Sequence, residues 1–460
     1  MKMQVTRKNV CNSGVLFQIF AAVIANLMAI SDGMTVGWTS PMIPYFLSDK
    51  SHIKITQNQA EWLETWLLMG AIIGLPLTIF FVDKIGRKKS LLLASFSLLV
   101  AWIIIAFAQN IETIYVARVI SGIGGDMAFV AAPMYIAEMA DQKIRGFLSS
   151  IIYLMMLTGV LTVYIVGPYL PFYVPSLIGV ILLSIELIVF SWLPETPYYL
   201  LLNNSNEKAK MSLQKFRSAG SVEKELAEIS LAVERQKAER ARPQDILLVR
   251  SYRKAMLIMA MLNAAQQLSS INVILMNMHQ VLEEAGSIYV APPIAAIMFA
   301  GLMFIAAAFA SVTIDRFGRK KLIMSSSILT GFCLLSLAVY FNIKNAGWEY
   351  KSLSWIPIVS VMTYAAVFKV GLGMVPIVIT AEIFASKMKA LGMAIADGIY
   401  VATAMISIYL FNLLRENFGM HVPFYLFASC SFTTSLLVLF YVPETRGKTL
   451  DQIQLLLEGK

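Results

Sequence analysis

Twelve apolar stretches recur along the chain, at approximately 15–37, 60–82, 90–108, 113–139, 145–167, 173–193, 255–283, 292–314, 322–342, 353–382, 390–415 and 422–442. A helix needs about 20 residues to cross a hydrocarbon core of about 30 Å, and these stretches meet that length. Helices satisfy their own backbone hydrogen bonds, so the pattern predicts an α-helical bundle embedded in lipid. Composition agrees: 58% of the 460 residues are hydrophobic and 14% charged, against roughly 45–50% and 25% in soluble domains. Residues 1–14 carry no small-residue cleavage site ahead of the first stretch, so no removable signal peptide is expected.

The net charge of +9 raises nucleic acid as a partner, and its placement argues against that. With twelve spans and both ends on one side, 30 of the 37 Lys and Arg fall on that side. The other side holds only Lys50, Lys54, Lys344, Lys351 and Arg415, and Arg118 and Lys369 lie within spans. By the positive-inside rule both termini are cytosolic. Cys11, Cys333 and Cys430 offer neither a disulfide framework nor metal-ligand spacing. Asn203-Asn204-Ser205 matches a glycosylation acceptor but falls on the cytosolic side, where it is expected to stay unmodified.

The chain repeats itself. Asp83-Lys84-Ile85-Gly86-Arg87-Lys88-Lys89 follows the second span, and Asp315-Arg316-Phe317-Gly318-Arg319-Lys320-Lys321 follows the eighth. Pro194-Glu195-Thr196 closes the sixth span, as Pro443-Glu444-Thr445 closes the twelfth. Glu138 before Arg145 has its counterpart in Glu382 before Lys389. The expected architecture is an all-α membrane protein with two six-helix pseudo-repeats: a cytosolic N-terminus (1–14), a bundle (15–202), a linker of short amphipathic helices (203–254), a second bundle (255–442) and a cytosolic tail (443–460). Parallel repeats of this kind hold a solute near the midplane, between the halves. Leu213, Phe216, Leu226, Ile229 and Leu231 are the apolar positions of the linker, which is expected to lie on the membrane surface.

From about residue 15 to 455 these motifs resemble the sugar porter family of the major facilitator superfamily, and within it the intracellular-type facilitative glucose transporters and insect facilitated trehalose transporters. Gly33 to Pro41 resembles the first-helix motif, and Arg118 to Gly122 with Pro133, Tyr135, Glu138, Arg145 and Gly146 the fourth-to-fifth-helix signature. Gln266-Gln267-Leu268-Ser269-Ser270-Ile271-Asn272 is similar to the seventh-helix sugar motif, with Ser270 where glycine is usual, and Pro443 to Leu450 to the carboxy-terminal signature. The resemblance implies the major facilitator fold and transport by alternating access. It also implies two cytosolic charge clusters that close the inner side reversibly: Asp83, Arg87, Glu138, Arg145 and Glu195 in one half, Asp315, Arg319, Glu382, Lys389 and Glu444 in the other. Charge pairs suit an interface that must break each cycle, because exposed pairs contribute only ~0–1 kcal/mol each.

The span-seven amides are the candidate solute contacts, since an amide both donates to and accepts from hydroxyls. On an ideal helix Gln266, Gln267, Ser270 and Asn277 share one face, whereas Asn272 joins them only if the helix is broken nearby. Polar contact between helices is the alternative role for these groups. Gly371, Gly373 and Pro376 resemble the tenth-helix gating segment, and Ser121, Gly122, Gly125, Ala128 and Ala132 form a small-residue packing face in span four.

Several positions depart from the family. Tyr153 replaces the fifth-helix glutamine, Ile377 the tryptophan after the tenth-helix proline, Met303 the eighth-helix asparagine, and Tyr400 and Val401 an eleventh-helix asparagine–tryptophan pair. The loss of these hydroxyl partners points away from glucose itself. Asp32, Asp126, Lys369 and Asp397 place charges inside spans, where ionisable residues are functional candidates. Lys369 is expected to face the cavity and to pair with Asp126 or Asp397 or to meet an anionic solute. Thr35 stands where proton-linked relatives carry an acid, which favours a uniporter.

The expected function is facilitative transport of a hexose or a disaccharide such as trehalose, with Gln266, Gln267, Asn272, Asn277, Lys369, Thr35 and Tyr153 as solute contacts. A proton-coupled or uncoupled carrier of another small solute, an anion among the options, is the first alternative, and a transport-inactive sugar receptor the second. The expected partners are a small polar solute and the bilayer, with a monomeric functional unit, no nucleic acid, no cofactor and no metal; the plasma membrane is the expected location. Three histidines and no nucleophile–base constellation argue against an enzyme, and the chain lacks a G-x-x-x-x-G-K-[ST] phosphate loop.

Overall fold

The computed structural model describes residues 2–141, 144–217, 222–238, 248–286, 288–313, 317–347, 351–384, 389–446 and 450–458. Eleven helices among them are long and apolar enough to cross a membrane. The remaining span, fifth in chain order, is the shorter apolar stretch Ile151–Val166, part of a helix over Arg145–Val166. In chain order the other spans are Gly14–Leu47, Gln57–Lys84, Arg87–Ala106, Ile111–Met139, Tyr173–Phe190, Arg250–Ala285, Pro292–Thr313, Arg319–Asn345, Ile356–Ile383 with one break, Lys389–Phe418 and His421–Tyr441.

Two apolar clusters organise the spans. The first-half cluster is built around Trp38, Trp102 and Tyr135; the second-half cluster contains Tyr340, Tyr364 and Phe368 and reaches across to Leu67, Leu157 and Tyr164 of the first half. The outside is apolar as well: Phe80, Ile188, Phe309 and Phe440 are exposed, as lipid-facing residues must be in a bundle with no water around its middle. Tyr173, Trp192 and Tyr441 add aromatic residues at or beside span ends, where amphipathic rings suit the bilayer interface.

The first span runs well past the expected end at residue 37. Ser40, Pro41 and Pro44 interrupt the apolar run, but the chain re-enters a helix over Thr39–Leu47. Pro41 falls in the first turn of that segment, where a missing N–H costs little. Asn26 marks another break (φ −105°, ψ 4°), and its side-chain Nδ2 donates to the Ala22 carbonyl at 2.8 Å.

A short helix over Pro197–Leu202 follows the sixth span, and the linker forms helices over Asn206–Phe216 and Val222–Ala238. They pack on protein at the basic end of the first half. Phe216 is buried against Phe17 at 5.5 Å, Gln18 Nε2 donates to the Phe216 carbonyl, and Arg217 donates to the Met139 carbonyl while forking onto Glu225. Leu226 and Ile229 join Leu201, Ala209 and Val233, whereas Leu231 points outward at 56% exposure. The mixed charge of this segment therefore supports docking on the bundle.

Candidate solute path between the halves

The glutamates of the two Pro-Glu-Thr motifs perform the same local task. Glu195 accepts the Lys88 N–H at 3.1 Å and the Thr196 N–H at 2.9 Å. Glu444 accepts the Arg319 N–H at 3.0 Å, the Lys320 N–H at 3.2 Å and the Arg446 N–H at 3.0 Å. Each carboxylate thus sits on the N-terminus of the helix that begins Gly-Arg-Lys-Lys, where the free N–H groups and the helix dipole favour negative charge. A Cβ at Gly86 would lie 2.5 Å from Glu195 Oε2, and one at Gly318 2.5 Å from Glu444 Oε2, which is why glycine opens both motifs. Lys88 and Lys320 Nζ then donate to the Ser191 and Leu439 carbonyls at the ends of the sixth and twelfth spans. Burial raises the Glu195 carboxyl above its ordinary 4.5, opposed by the Thr196 and Lys88 amides.

Arg87 pairs with Glu138 at 2.9 Å, and Thr196 donates to the second Glu138 oxygen at 2.5 Å. Asp83, grouped with this cluster by resemblance, is exposed and is not bonded to Arg87, whose guanidinium is engaged by Glu138 and the Val82 carbonyl. Asp315 lies outside the described residues, as do the side chains of Arg145, Glu382 and Lys389.

The seventh span breaks at Ser269-Ser270, with Ser270 in the left-handed region (φ 74°), so Asn272 opens a new helix and is half-buried beside the break. The tenth span breaks over Gly371–Met374. Gln266 joins the two breaks, its Nε2 donating to the Leu372 carbonyl at 2.6 Å. Ser326 of the ninth span accepts the Leu372 N–H and donates to the Val367 carbonyl, so the backbone groups freed by the break find partners. Gln267 is fully buried, and neither its amide oxygen nor its nitrogen has a hydrogen-bond partner; the Tyr400 phenol stands beside it. The Ser270 hydroxyl is buried and unpaired too.

The remaining candidates divide. Asn277 is drawn away from the glutamines toward the end opposite the basic one, donating to Glu64 of span two at 3.3 Å and to the Val273 carbonyl. The Thr35 hydroxyl donates to the Ser31 carbonyl, while the Thr35 carbonyl accepts from Arg118 at 2.7 Å. Arg118 is completely buried, also donates to the Leu63 carbonyl, and has Glu64 and Asp32 as its charged neighbours. Tyr153 packs against Phe129 and carries the Lys369 ammonium 5.8 Å above its ring. Lys369 pairs with neither Asp126 nor Asp397, contrary to one expectation; no carboxylate among the described residues is within reach of it. The two acids are instead each other's charged neighbours, and Thr78 donates to Asp126 at 2.7 Å. Asp32 borders a small, mainly apolar cavity beside Met28, Phe129, Ile152 and Met156.

At the end opposite the basic one, polar contacts cross between the halves. Arg415 pairs with Glu61 at 2.9 Å, Ser40 pairs with His279 Nδ1 at 2.8 Å, and the Tyr164 hydroxyl donates to the Leu275 carbonyl. Glu61, Glu64 and His279 were absent from the sequence-based candidates, although Glu61 and Glu64 are acids inside the apolar run at 60–82, a signal that would have marked them.

Two six-span halves joined around buried, partly unpaired amides and backed by broken helices define a multi-pass membrane transporter of the major facilitator fold, not an enzyme. The chain belongs to the sugar (and other) transporter family, whose model matches residues 18–457. It is 29% identical to a facilitated trehalose transporter of Polypedilum vanderplanki, over all of this chain and 92% of that protein. It is 27% identical to the Anopheles gambiae transporter of the same name, of which it spans 58%. Among solved structures it resembles the inward open xylose transporter XylE from E. coli, with a TM-score of 0.79 and 22% identity over 95% of this chain and 99% of that one.

Proposed function

We propose that the protein is a facilitative carrier that moves a sugar, a disaccharide of the trehalose type foremost, across the plasma membrane by alternating access, as a monomer with both termini cytosolic. The unpaired Gln267 amide carries this reading. A buried polar group left without a partner costs about 1–3 kcal/mol, and a sugar hydroxyl supplies both the donor and the acceptor that the amide lacks. Gln266, Asn272 and Tyr400 surround the same break, and the insect relatives are trehalose transporters by name. The test is uptake of labelled trehalose and hexoses by the purified protein in liposomes, with and without a proton gradient. Saturable, gradient-independent flux is expected; sugar-driven alkalinisation would replace the uniporter with a symporter, and absence of all flux would end the reading.

Lys369 favours a second reading. A cation in the middle of the tenth span with no acid partner among the described residues suits a solute that carries a carboxylate. Under this reading sugar acids compete with neutral sugars in the wild type, and Lys369→Met abolishes that competition while neutral uptake persists.

A further inference from the structure

The break in the seventh span frees backbone carbonyls, because the last four of any helix lack an intrahelical partner. Inside a membrane their donors must come from neighbouring spans. Tyr364 of the tenth span donates its hydroxyl to the Ser269 carbonyl at 2.8 Å, and Ser407 of the eleventh donates to the Gln267 carbonyl at 2.9 Å. Ser431 of the twelfth places its Oγ 3.0 Å from the Ser269 hydroxyl. All of these side chains are buried. Just before the break, Asn263 Nδ2 donates to the Ala396 carbonyl at 2.6 Å. Residues 263–269 are thus tied to the last three spans through backbone and flanking side chains.

These ties surround a residue whose own amide has none. The Gln267 side chain is fully buried without a hydrogen-bond partner, so nothing at its tip fixes its direction. Its aim is set by packing and by its backbone, which Ser407 holds directly and Tyr364 holds two residues on. The two broken spans also brace each other: Gln266 supports the tenth at Leu372, and Tyr364 supports the seventh at Ser269. The Tyr364 ring stacks on Phe368 at 5.3 Å, with 11° between the planes, so its own span directs the phenol. Each of these bonds lies within the second half. Beyond the break the partners change: Tyr164 donates to the Leu275 carbonyl and Asn277 donates to Glu64, which brings in the first half. Parting the halves breaks this second set and leaves the first in place.

We propose that Tyr364 and Ser407 are positioning residues for the solute: by holding the Ser269 and Gln267 carbonyls they aim the Gln267 amide, and so set solute affinity without touching the solute. The proposal rests on the reading of Gln267 as a solute contact. A binding group is effective only when the residues behind it hold it in the productive geometry. Here that support comes from two hydroxyls on separate spans.

The test uses Tyr364→Phe, which keeps the ring on Phe368 and removes only the hydroxyl, and Ser407→Ala. Tyr340→Phe is the comparison, because the buried Tyr340 hydroxyl donates to the Ala285 carbonyl at 2.7 Å, at the far end of the seventh span. Binding of labelled trehalose and labelled glucose to the purified full chain is measured by equilibrium dialysis, beside melting temperature and uptake in liposomes. Tyr364→Phe and Ser407→Ala are each expected to weaken binding by about fivefold and to raise KM to match, with the maximal rate changed by less than about twofold. Tyr340→Phe is expected to lower the melting temperature as much and to leave binding unchanged. In a Gln267→Ala background the first two substitutions are expected to weaken binding by less than about twofold, since the contact they position is gone. Binding unaffected by both Tyr364→Phe and Ser407→Ala overturns the proposal and leaves Gln267 as a contact, and so does a full loss that persists in the Gln267→Ala background. A Gln267→Ala variant that binds sugar as the wild type does, or a wild type that binds neither sugar, removes that contact and the proposal with it.

Discussion

Gln266 Nε2 donates to the Leu372 carbonyl at 2.6 Å, so one side chain of the seventh span supports the broken backbone of the tenth. Its neighbour Gln267 is equally buried and has no partner for its amide. Adjacent residues of the same type thus hold different positions in the energetics: one supports the broken tenth span, and the other has no partner for its amide within the fold.

That division predicts different variants. Gln267→Ala is expected to leave the melting temperature nearly unchanged and to raise the sugar KM by about tenfold, the equivalent of one lost hydrogen bond of about 1.4 kcal/mol. Gln266→Ala leaves the Leu372 carbonyl unsupported, and is expected to lower stability by about 1–3 kcal/mol as well as transport. Thermal unfolding in detergent, set beside initial uptake rates in liposomes, separates the two. Equal destabilisation by both substitutions would contradict the assignment.

Ser270 adopts φ 74°, a conformation that costs a non-glycine residue about 1–2 kcal/mol, and its hydroxyl gains no partner in return. Ser270→Gly is therefore expected to raise stability by about 1 kcal/mol. A lowered melting temperature would show that the hydroxyl has a role the free-standing geometry hides.

Glu195 and Glu444 sit in separate halves and cap separate helices. Removing either by alanine is expected to cost about 1–2 kcal/mol, and the double variant about the sum, since distant sites add. Burial holds the Glu195 carboxyl above 4.5, so the folded chain keeps that proton more tightly than the unfolded chain. Its contribution therefore makes stability fall as pH climbs just above the ordinary carboxylate value, and level off once the folded group has ionised. Glu195→Gln is expected to flatten that segment of the stability–pH curve relative to the wild type.

The Glu61–Arg415 pair is mostly buried, with side-chain exposures of 18% and 8%, and it fastens the end opposite the basic one. Glu61→Gln is expected to shift the carrier toward opening at that end by roughly fivefold, the equivalent of about 1 kcal/mol. Labelling of a cysteine at Ser40, buried under the closed contact, reads the shift directly. Unchanged labelling would mean that the Tyr164–Leu275 contact suffices, since the reporter itself removes the Ser40–His279 bond.

The large-scale design was legible in the sequence because its causes are local. A run of about 20 apolar residues must become a spanning helix, and the basic loops set the expected orientation, whatever the rest of the chain does. The repeated Asp-x-x-Gly-Arg and Pro-Glu-Thr motifs marked two matching halves for the same reason. The functions of Glu195 and Glu444 follow from helix ends that need an acceptor, and each recurs at a fixed place in the motif.

Pairing across the bundle was not legible. Sequence marked Asp126, Asp397 and Lys369 as intramembrane charges and joined the cation to an acid, whereas the packed helices turn the two acids toward each other and Lys369 toward an aromatic face. Asn277 shares an ideal-helix face with the glutamines, but the break at Ser269-Ser270 rotates the second helix segment and delivers Asn277 to Glu64. Spacing along the chain determined which residues enter the membrane and how many times it crosses. Which side chains meet depended on helix rotation and on breaks, quantities set by contacts between residues such as Asp126 and Asp397, 271 positions apart, and therefore decided only when the whole bundle is assembled.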